Sequence, residues 1–460
     1  MRKAVVIFGR ESKAFLLFLD ILVMMACFSL ASFIRFGEIE MSFLLNGSLY
    51  ALAIAYVISL YVFSCYDLDV EVTLLRMGFN FFVATSVFFV FVISLIYLLA
   101  LQPQGLLGRG ILISALAAFG FIALLLRLAI LKVLRGLRAK ARWLFVVSDN
   151  YYGAIVEDIN SWGLHGQVHI LVAGQDKIER TPNGLILGSI DDLQGYLTRK
   201  WNAVIIALRP DEFTSEISHH LVKHKLQGEP VLDLVSAYEK FWRKLPEYYL
   251  EPTWFLKYQG LSIVRNPSVA RVKRIFDIGL AALLLLITWP VVLLFAVLIR
   301  LESTGSPWYR QIRTGKGGRD FWIYKLRSMT VNAEQNGAVW ARENDSRVTA
   351  IGRFIRKTRI DELPQLVNVL KGDMSFVGPR PERPEFNTKL EAELPYYSLR
   401  HLVHPGITGW AQVRYPYGAS IRDAQEKLQH ELFYIKNFSF FLDLKIVLRT
   451  VRVVVFGSGR

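Results

Sequence analysis

Two adjacent acids, Asp361 and Glu362, stand in the run RIDELPQL, closely preceded by Arg353, Arg356, Lys357 and Arg359 and followed by GDMSFVGPRP. Acids set among guanidinium groups just before a proline suit phosphate chemistry at a metal ion. A carboxylate can attack phosphorus, a divalent cation can neutralise charge, and arginines can hold phosphate oxygens. The ordinary alternative is a pair of helix-capping acids, which explains one carboxylate but not the arginines around it. In Gly378-Pro379-Arg380-Pro381 the two prolines stiffen the backbone on both sides of Arg380, which suits an oriented phosphate contact or a plain turn. Upstream, Arg310 and Arg313 precede the turn Gly315-Lys316-Gly317-Gly318, and a strand over FWIYKLRSM carries Lys325 and Arg327. The glycines read as a hairpin, and the basic residues as phosphate contacts or membrane-surface charges.

These residues must be positioned by the elements around them. Thr349 to Leu370 read as two short helices meeting near Asp361, with Pro364 in the first turn of the second. The acids would then face that helix's positive end. Ile351, Phe354 and Ile355 form an apolar stripe beside a basic face, the pattern of a helix lying at a membrane interface. Residues 404–415, HPGITGWAQVRY, could shape a sugar or base pocket or form a tight turn. Residues 432–456 read as one amphipathic helix, lying on the bilayer or packing on the domain.

The 460 residues are 53% hydrophobic and 13% aromatic, and carry a net charge of +15. That is too apolar for an ordinary soluble protein. No nucleic-acid-binding motif gathers the basic residues, so no nucleic-acid partner is expected. Cys27 and Cys65 lie in apolar runs and suggest neither a disulfide nor a zinc site. Four apolar runs, about 14–34, 49–66, 78–101 and 111–131, approach or exceed the roughly 20 residues that cross a bilayer. A cleaved signal peptide is not expected, because the first run is long and three more follow. Arg2, Lys3, Arg10 and Lys13 precede the first run, and Lys132, Arg135, Arg138, Lys140 and Arg142 follow the fourth. Both flanks are therefore expected in the cytoplasm, with the Glu38–Glu40 loop outside. Within the runs, Arg127 is expected to snorkel to the basic end and Asp20 to find a partner inside the bundle.

From Trp143 the pattern alternates strands (143–148, 169–174, 202–208) with helices, which predicts a small parallel α/β sheet. The turn after its first strand, SDNYYGA, puts Tyr151 and Tyr152 where a pyrophosphate needs bare backbone, so a structural role is expected there. His219, His220 and His224 lie among lysines and read as a solvated helix face. Residues 230–260, rich in Trp, Tyr and Pro, read as a connector.

A fifth apolar run, about 278–299, has basic residues at both ends and Pro290 near its middle. A span would strand one basic group on the outer face. Proline bends the helix, and Thr288 can bond to the freed backbone. We read a re-entrant helix, about 272–300, that returns to the same leaflet; a kinked fifth span is the alternative. The expected organisation is a four-helix transmembrane domain (1–140), a Rossmann-like α/β cytosolic domain with connector (141–262), and a mainly α catalytic domain with a re-entrant membrane helix (263–460).

Lys273-Arg274 with Asp277, Pro290, KLRSM, RIDELPQLVNVLKGDMSFVGPRP and PGITGWAQV together resemble the monotopic phosphoglycosyl transferases, which start bacterial exopolysaccharide and O-antigen (lipopolysaccharide) synthesis. The resemblance covers the last 190 residues or so; the spans and the α/β section look like the larger members. It implies that a UDP-sugar gives its sugar-1-phosphate to Asp361, releasing UMP, and that the phosphosugar then passes to undecaprenyl phosphate. It further implies Glu362 as ligand to a Mg²⁺ cofactor, Arg356 and Arg380 as phosphate-binding, and a bacterial inner-membrane location with a cytoplasmic active site among membrane lipid. This chain has Trp289 before the proline where the family often has Ser. The family's usual Asp near the final helix is read here as Glu431, whose role stays open. The spans or the middle section could support a homodimer. A transport protein for lipid-linked sugars, or a tethered nucleotide-sugar dehydratase, are the rival functions. Few charges lie in the spans, and the dehydratase's glycine fingerprint is absent where it is needed.

Overall fold

A computed structural model describes residues 11–37, 47–63, 65–66, 74–98, 109–161, 167–173, 186–257, 261–330, 347–415, 418 and 420–456. The basic residues Arg2, Lys3 and Arg10 and the Glu38–Glu40 loop lie outside them. The chain divides into two compact units, Met1–Ala237 and Tyr238–Arg460.

The first unit opens with helices α1 (Glu11–Phe36), α2 (Gly47–Val62), α3 (Leu74–Leu98) and α4 (Arg109–Ala139). Stretches of α1, α3 and α4 are long and apolar enough to cross a membrane. So is the long helix of the second unit, Pro267–Glu302, which brings such helices to four among the described residues. The expected second span is shorter: α2 has 16 residues and ends at Val62, about 24 Å of helix. Beyond it Cys65 N–H bonds to the Leu60 carbonyl, which turns the chain. Large side chains such as Phe18, Phe82 and Phe121 point outward, as a lipid-facing surface requires. Inside, Tyr56 stacks on Phe88 at 4.4 Å and meets Phe119 edge-on at 5.1 Å.

Arg127 does not snorkel. It is buried and grips Asp20 at two points, Nη2–Oδ2 2.6 Å and Nη1–Oδ1 2.9 Å. Tyr66 donates to the same carboxylate at 2.5 Å, and Arg127 Nε donates to the Cys65 carbonyl. A planar fork on a carboxylate within reach is a better home in hydrocarbon than a stretched path to water.

Next come β1 (Arg142–Val147), α5 (Asp149–Ser161), β2 (Gln167–Val172), β3 (Ile186–Ser189), α6 (Leu193–Leu197), β4 (Ala203–Ala207), α7 (Ser215–Leu226) and β5 (Val231–Asp233). The strands form one parallel sheet in the order β3-β2-β1-β4-β5. Buried runs such as Leu144–Val147 on β1 explain its continuous apolar sequence, since both faces are covered. The three expected strands are present; β3 and β5 are too short and irregular in composition to stand out. His224, expected on a solvated face, is buried, and burial lowers its pKa.

In the second unit, α8 (Pro267–Glu302) starts where the Asn266 side chain accepts from Ser268 and Val269 N–H. It continues through Pro290, and Thr288 Oγ1 donates to the Leu284 carbonyl at 2.7 Å. The antiparallel hairpin β6 (Trp308–Thr314) and β7 (Asp320–Leu326) follows, then α9 (Ala350–Lys357) and α10 (Gln365–Lys371). Short strands β8 (Ser375–Val377) and β9 (Gly406–Thr408) pair in parallel. The single amphipathic helix expected over 432–456 is two, α11 (Ile421–Lys436) and α12 (Phe440–Phe456). Asn437 ends the first and Ser439 caps the second through Leu442 N–H. Lys445 and Arg449 of α12 lie over the Trp410 ring, so the helix packs on its own unit.

Both ends of α8 dock on this unit. Near its start Arg274 donates to the Val369 and Leu370 carbonyls at the end of α10. Lys273 lies between Asp277 (2.6 Å) and Asp443 (2.8 Å). Near its end Val292, Ala296 and Ile299 share a core with Leu326 and Ile355, against which Ile360 and Leu363 pack. Between Ala281 and Val292 no side chain of the helix is buried.

Candidate active site at the carboxylate pair

Asp361 and Glu362 fill one 3₁₀ turn, Ile360–Glu362, between α9 and α10. Thr349 caps α9, and Gly352 lets that helix press against the preceding strand's extension: a Cβ there would lie 2.0 Å from the Ser328 carbonyl oxygen. Arg359, just before the acids, has φ +59°, a left-handed backbone rare for a branchless but bulky side chain. Pro364 then starts α10, as its sequence predicts, and Gly372, at φ +99°, ends it. Ile360 and Leu363 anchor the turn on the core beside α8, so the acids between them are fixed from below.

Both carboxylates are buried, with 7% and 8% of their residues' surface exposed. Three cations converge on Glu362. Arg380 Nη2 meets Oε1 at 2.7 Å, Lys325 Nζ meets Oε1 at 3.5 Å, and Arg359 Nη1 meets Oε2 at 3.3 Å. Burial pushes the Glu362 carboxyl up, but Arg380, Lys325 and Arg359 together outweigh it and hold the group well below its ordinary value. Burial pushes Lys325 down to about 8, against the pull of Glu362 and Asp361. Among the described residues three positive groups surround the two acids, an arrangement that suits an incoming phosphate.

The structure thus brings Asp361, Glu362, Lys325 and Arg380 together. Arg356 is half-buried on α9 and makes no hydrogen bond or ion pair with the acids among the described residues. Arg310 lies on the opposite hairpin face from Lys325, over the Trp322 ring at 4.8 Å. Arg327 is turned away altogether. Its guanidinium binds the Ile299, Ser303 and Thr304 carbonyls and closes the C-terminal end of α8. Pro290 lies within α8, away from this turn in sequence. Arg359, one of the cations that flank the acids in sequence, joins the site and meets Glu362 from a left-handed backbone.

Among the described residues no group of three His, Cys, Asp or Glu side chains could hold a metal alone. Glu362 Oε1 is shared by two cations, while Oε2 faces only Arg359. A divalent ion here would therefore have to compete with those cations for Glu362 and take most of its ligands from phosphate oxygens and water.

The model of the bacterial sugar transferase family matches residues 268–457. Over 260 residues, 56% of this chain, the sequence is 44% identical to the UDP-N-acetylgalactosamine-undecaprenyl-phosphate N-acetylgalactosaminephosphotransferase of Aeromonas hydrophila, covering 60% of that protein. It is 42% identical over 248 residues, 54% of this chain, to the UDP-glucose:undecaprenyl-phosphate glucose-1-phosphate transferase of Escherichia coli, covering 48% of it. With the protein of the same description from Caulobacter vibrioides it shares 44% identity over 181 residues, 39% of this chain and 68% of that relative. The chain belongs to the bacterial sugar transferase family, and the matched region contains the whole carboxylate site.

Proposed function

We propose that this protein transfers a sugar-1-phosphate from a UDP-sugar to undecaprenyl phosphate in two steps at Asp361. The observation that carries the proposal is the buried Asp361–Glu362 turn ringed by Lys325, Arg359 and Arg380. In the first step an Asp361 carboxylate oxygen attacks the phosphorus next to the sugar. The bond from that phosphorus to the bridging oxygen breaks, and UMP leaves with that oxygen. In the second step a phosphate oxygen of the lipid attacks the same phosphorus, which breaks the acyl phosphate bond and restores the carboxylate. Splitting the transfer lets one site serve both steps, because the group departing and the group arriving are both phosphates. Arg380 and Lys325 meet charge as it shifts among the phosphate oxygens, and Glu362 holds them there. Magnesium, when bound, supplies further charge neutralisation.

The ends of α8 that dock on one unit, and the uncovered stretch between them, support a helix that enters the bilayer and returns to the cytoplasmic leaflet of the inner membrane. The site would then open where a lipid phosphate lies. The strand order β3-β2-β1-β4-β5 supports a Rossmann-like middle domain. There Glu212 accepts from Ser148, next to the β1 end, and from Arg209. A carboxylate in that place disfavours a nucleotide phosphate. The test is product analysis: purified protein, UDP-sugar, undecaprenyl phosphate and Mg²⁺ should give UMP and a lipid-linked phosphosugar. Full turnover by Asp361→Asn would refute the nucleophile.

A further inference from the structure

Arg380 reaches Glu362 from a loop, not from a helix or strand, and loops alone hold side chains loosely. Its two prolines restrict the backbone, and their carbonyls accept from Gly406 N–H and the Arg313 guanidinium, but these bonds do not hold the peptide groups of Arg380 itself. Those groups are held by a second, internal ion pair. Arg400 donates from Nε to Glu431 Oε2 at 2.9 Å and from Nη2 to Oε1 at 3.0 Å, and both side chains are about 5% exposed. The same Nη2 donates to the Arg380 carbonyl at 2.7 Å. The Glu431 carboxylate in turn accepts from the Arg380 backbone N–H. Tyr397 accepts from Arg400 Nη1 at 2.7 Å and completes its set of partners.

We propose that the Arg400–Glu431 pair is a positioning device for the transfer site: it grips the peptide groups on both sides of Arg380 and thereby aims that guanidinium at Glu362 and the phosphate. This rests on the reading of Arg380 as a phosphate-binding residue at Asp361. Neither member touches Glu362; both act through one residue. The arrangement accounts for the buried acid on α11, which has no other visible task. A hydrophobic pair would fill the same space but would leave the Arg380 N–H and C=O unmatched.

The test has two arms on the full chain in detergent. The first needs no substrate. Lys325 faces Glu362, Asp361, Arg380 and Arg313, so its titration reports where the Arg380 charge sits. Peptide-resolved reductive methylation against pH should place wild-type Lys325 near 8. Arg380→Ala should raise that value, and Glu431→Gln should raise it in the same direction. A rise of one unit lowers the labelling rate at pH 8 about fivefold. Arg400→Lys keeps charge against Glu431 but loses the fork, and should give the same shift if Glu431→Gln fails to fold. The second arm is turnover. Glu431→Gln should lower kcat about tenfold when Arg380 is present and change it by less than about twofold in an Arg380→Ala background. An unmoved Lys325 profile in folded variants, or equal losses in both backgrounds, would overturn the positioning role. If the wild type made no UMP from any UDP-sugar, the transfer reading would fail, while the labelling arm would still decide whether the pair holds Arg380.

Discussion

In the first unit Arg127 closes on Asp20 in a two-point fork, and Tyr66 and the Cys65 carbonyl take up the remaining polar groups. One charge meets one charge. In the second unit Glu362 draws Arg380, Lys325 and Arg359, and only Asp361 adds a further negative group to that turn. The acids of both groupings are buried and both rely on arginine. The difference is the balance: the first is neutral and complete, the second holds more cation than its own acids can match. A neutral pair in an apolar bundle fixes one packing of helices. A cation excess around buried acids is unfavourable until an anion arrives, and that is how a structural pair and a phosphate site differ physically.

Asp361→Asn should separate the two most sharply. It keeps shape and hydrogen-bonding capacity but removes the attacking charge, so turnover should fall by about a thousandfold or more while thermal unfolding hardly moves. Arg127→Met should do the reverse. It leaves the buried Asp20 charge without its cation, although Tyr66 still donates to it, and should cost about 3–5 kcal/mol of stability, with the folded remainder turning over normally. Measured together, unfolding midpoint and specific activity would show whether the groupings divide the labour in this way.

Arg380→Ala should lower kcat/KM about a hundredfold, as the loss of one oriented donor does at a charged transition state. The pH profile is a finer probe. Lys325 is held near 8, below its ordinary 10.5, because burial favours its neutral form. Its charge is therefore present below about 8 and lost as pH rises, so activity should decline on a basic limb near 8. Stability should move oppositely: the penalty for a buried charged amine applies below 8 and is relieved between 8 and 10.5. Arg310→Ala should change turnover by less than about twofold, because that side chain rests on Trp322 across the hairpin from the acids.

Much of the site was legible because it is local in sequence. The DELP run carries both acids, the helix-starting proline and its flanking cations within a few residues, and the GPRP loop marks Arg380 by its prolines. What escaped depends on conformation or on long separation. Arg359 was among the cations named beside the acids, but the positive φ with which it meets Glu362 has no mark in the sequence. Arg400 and Glu431 stand 31 residues apart on elements with no shared pattern. Arg327 looked like Lys325, two residues before it, yet same-face neighbours on this strand diverge at its end, where the chain leaves the hairpin and Arg327 meets the α8 terminus. In the bundle, hydropathy located the helices, but the Asp20–Arg127 match spans 107 positions and needed coordinates of both helices to be seen.

The most direct measurement is peptide-resolved mass spectrometry of the protein mixed with Mg²⁺ and a UDP-sugar, without the lipid acceptor. The expected result is a phosphosugar on the peptide containing Asp361, formed with an equal amount of UMP and removed when undecaprenyl phosphate is added. Turnover with no such adduct, together with undiminished UMP release by Asp361→Asn, would contradict a covalent transfer through this carboxylate.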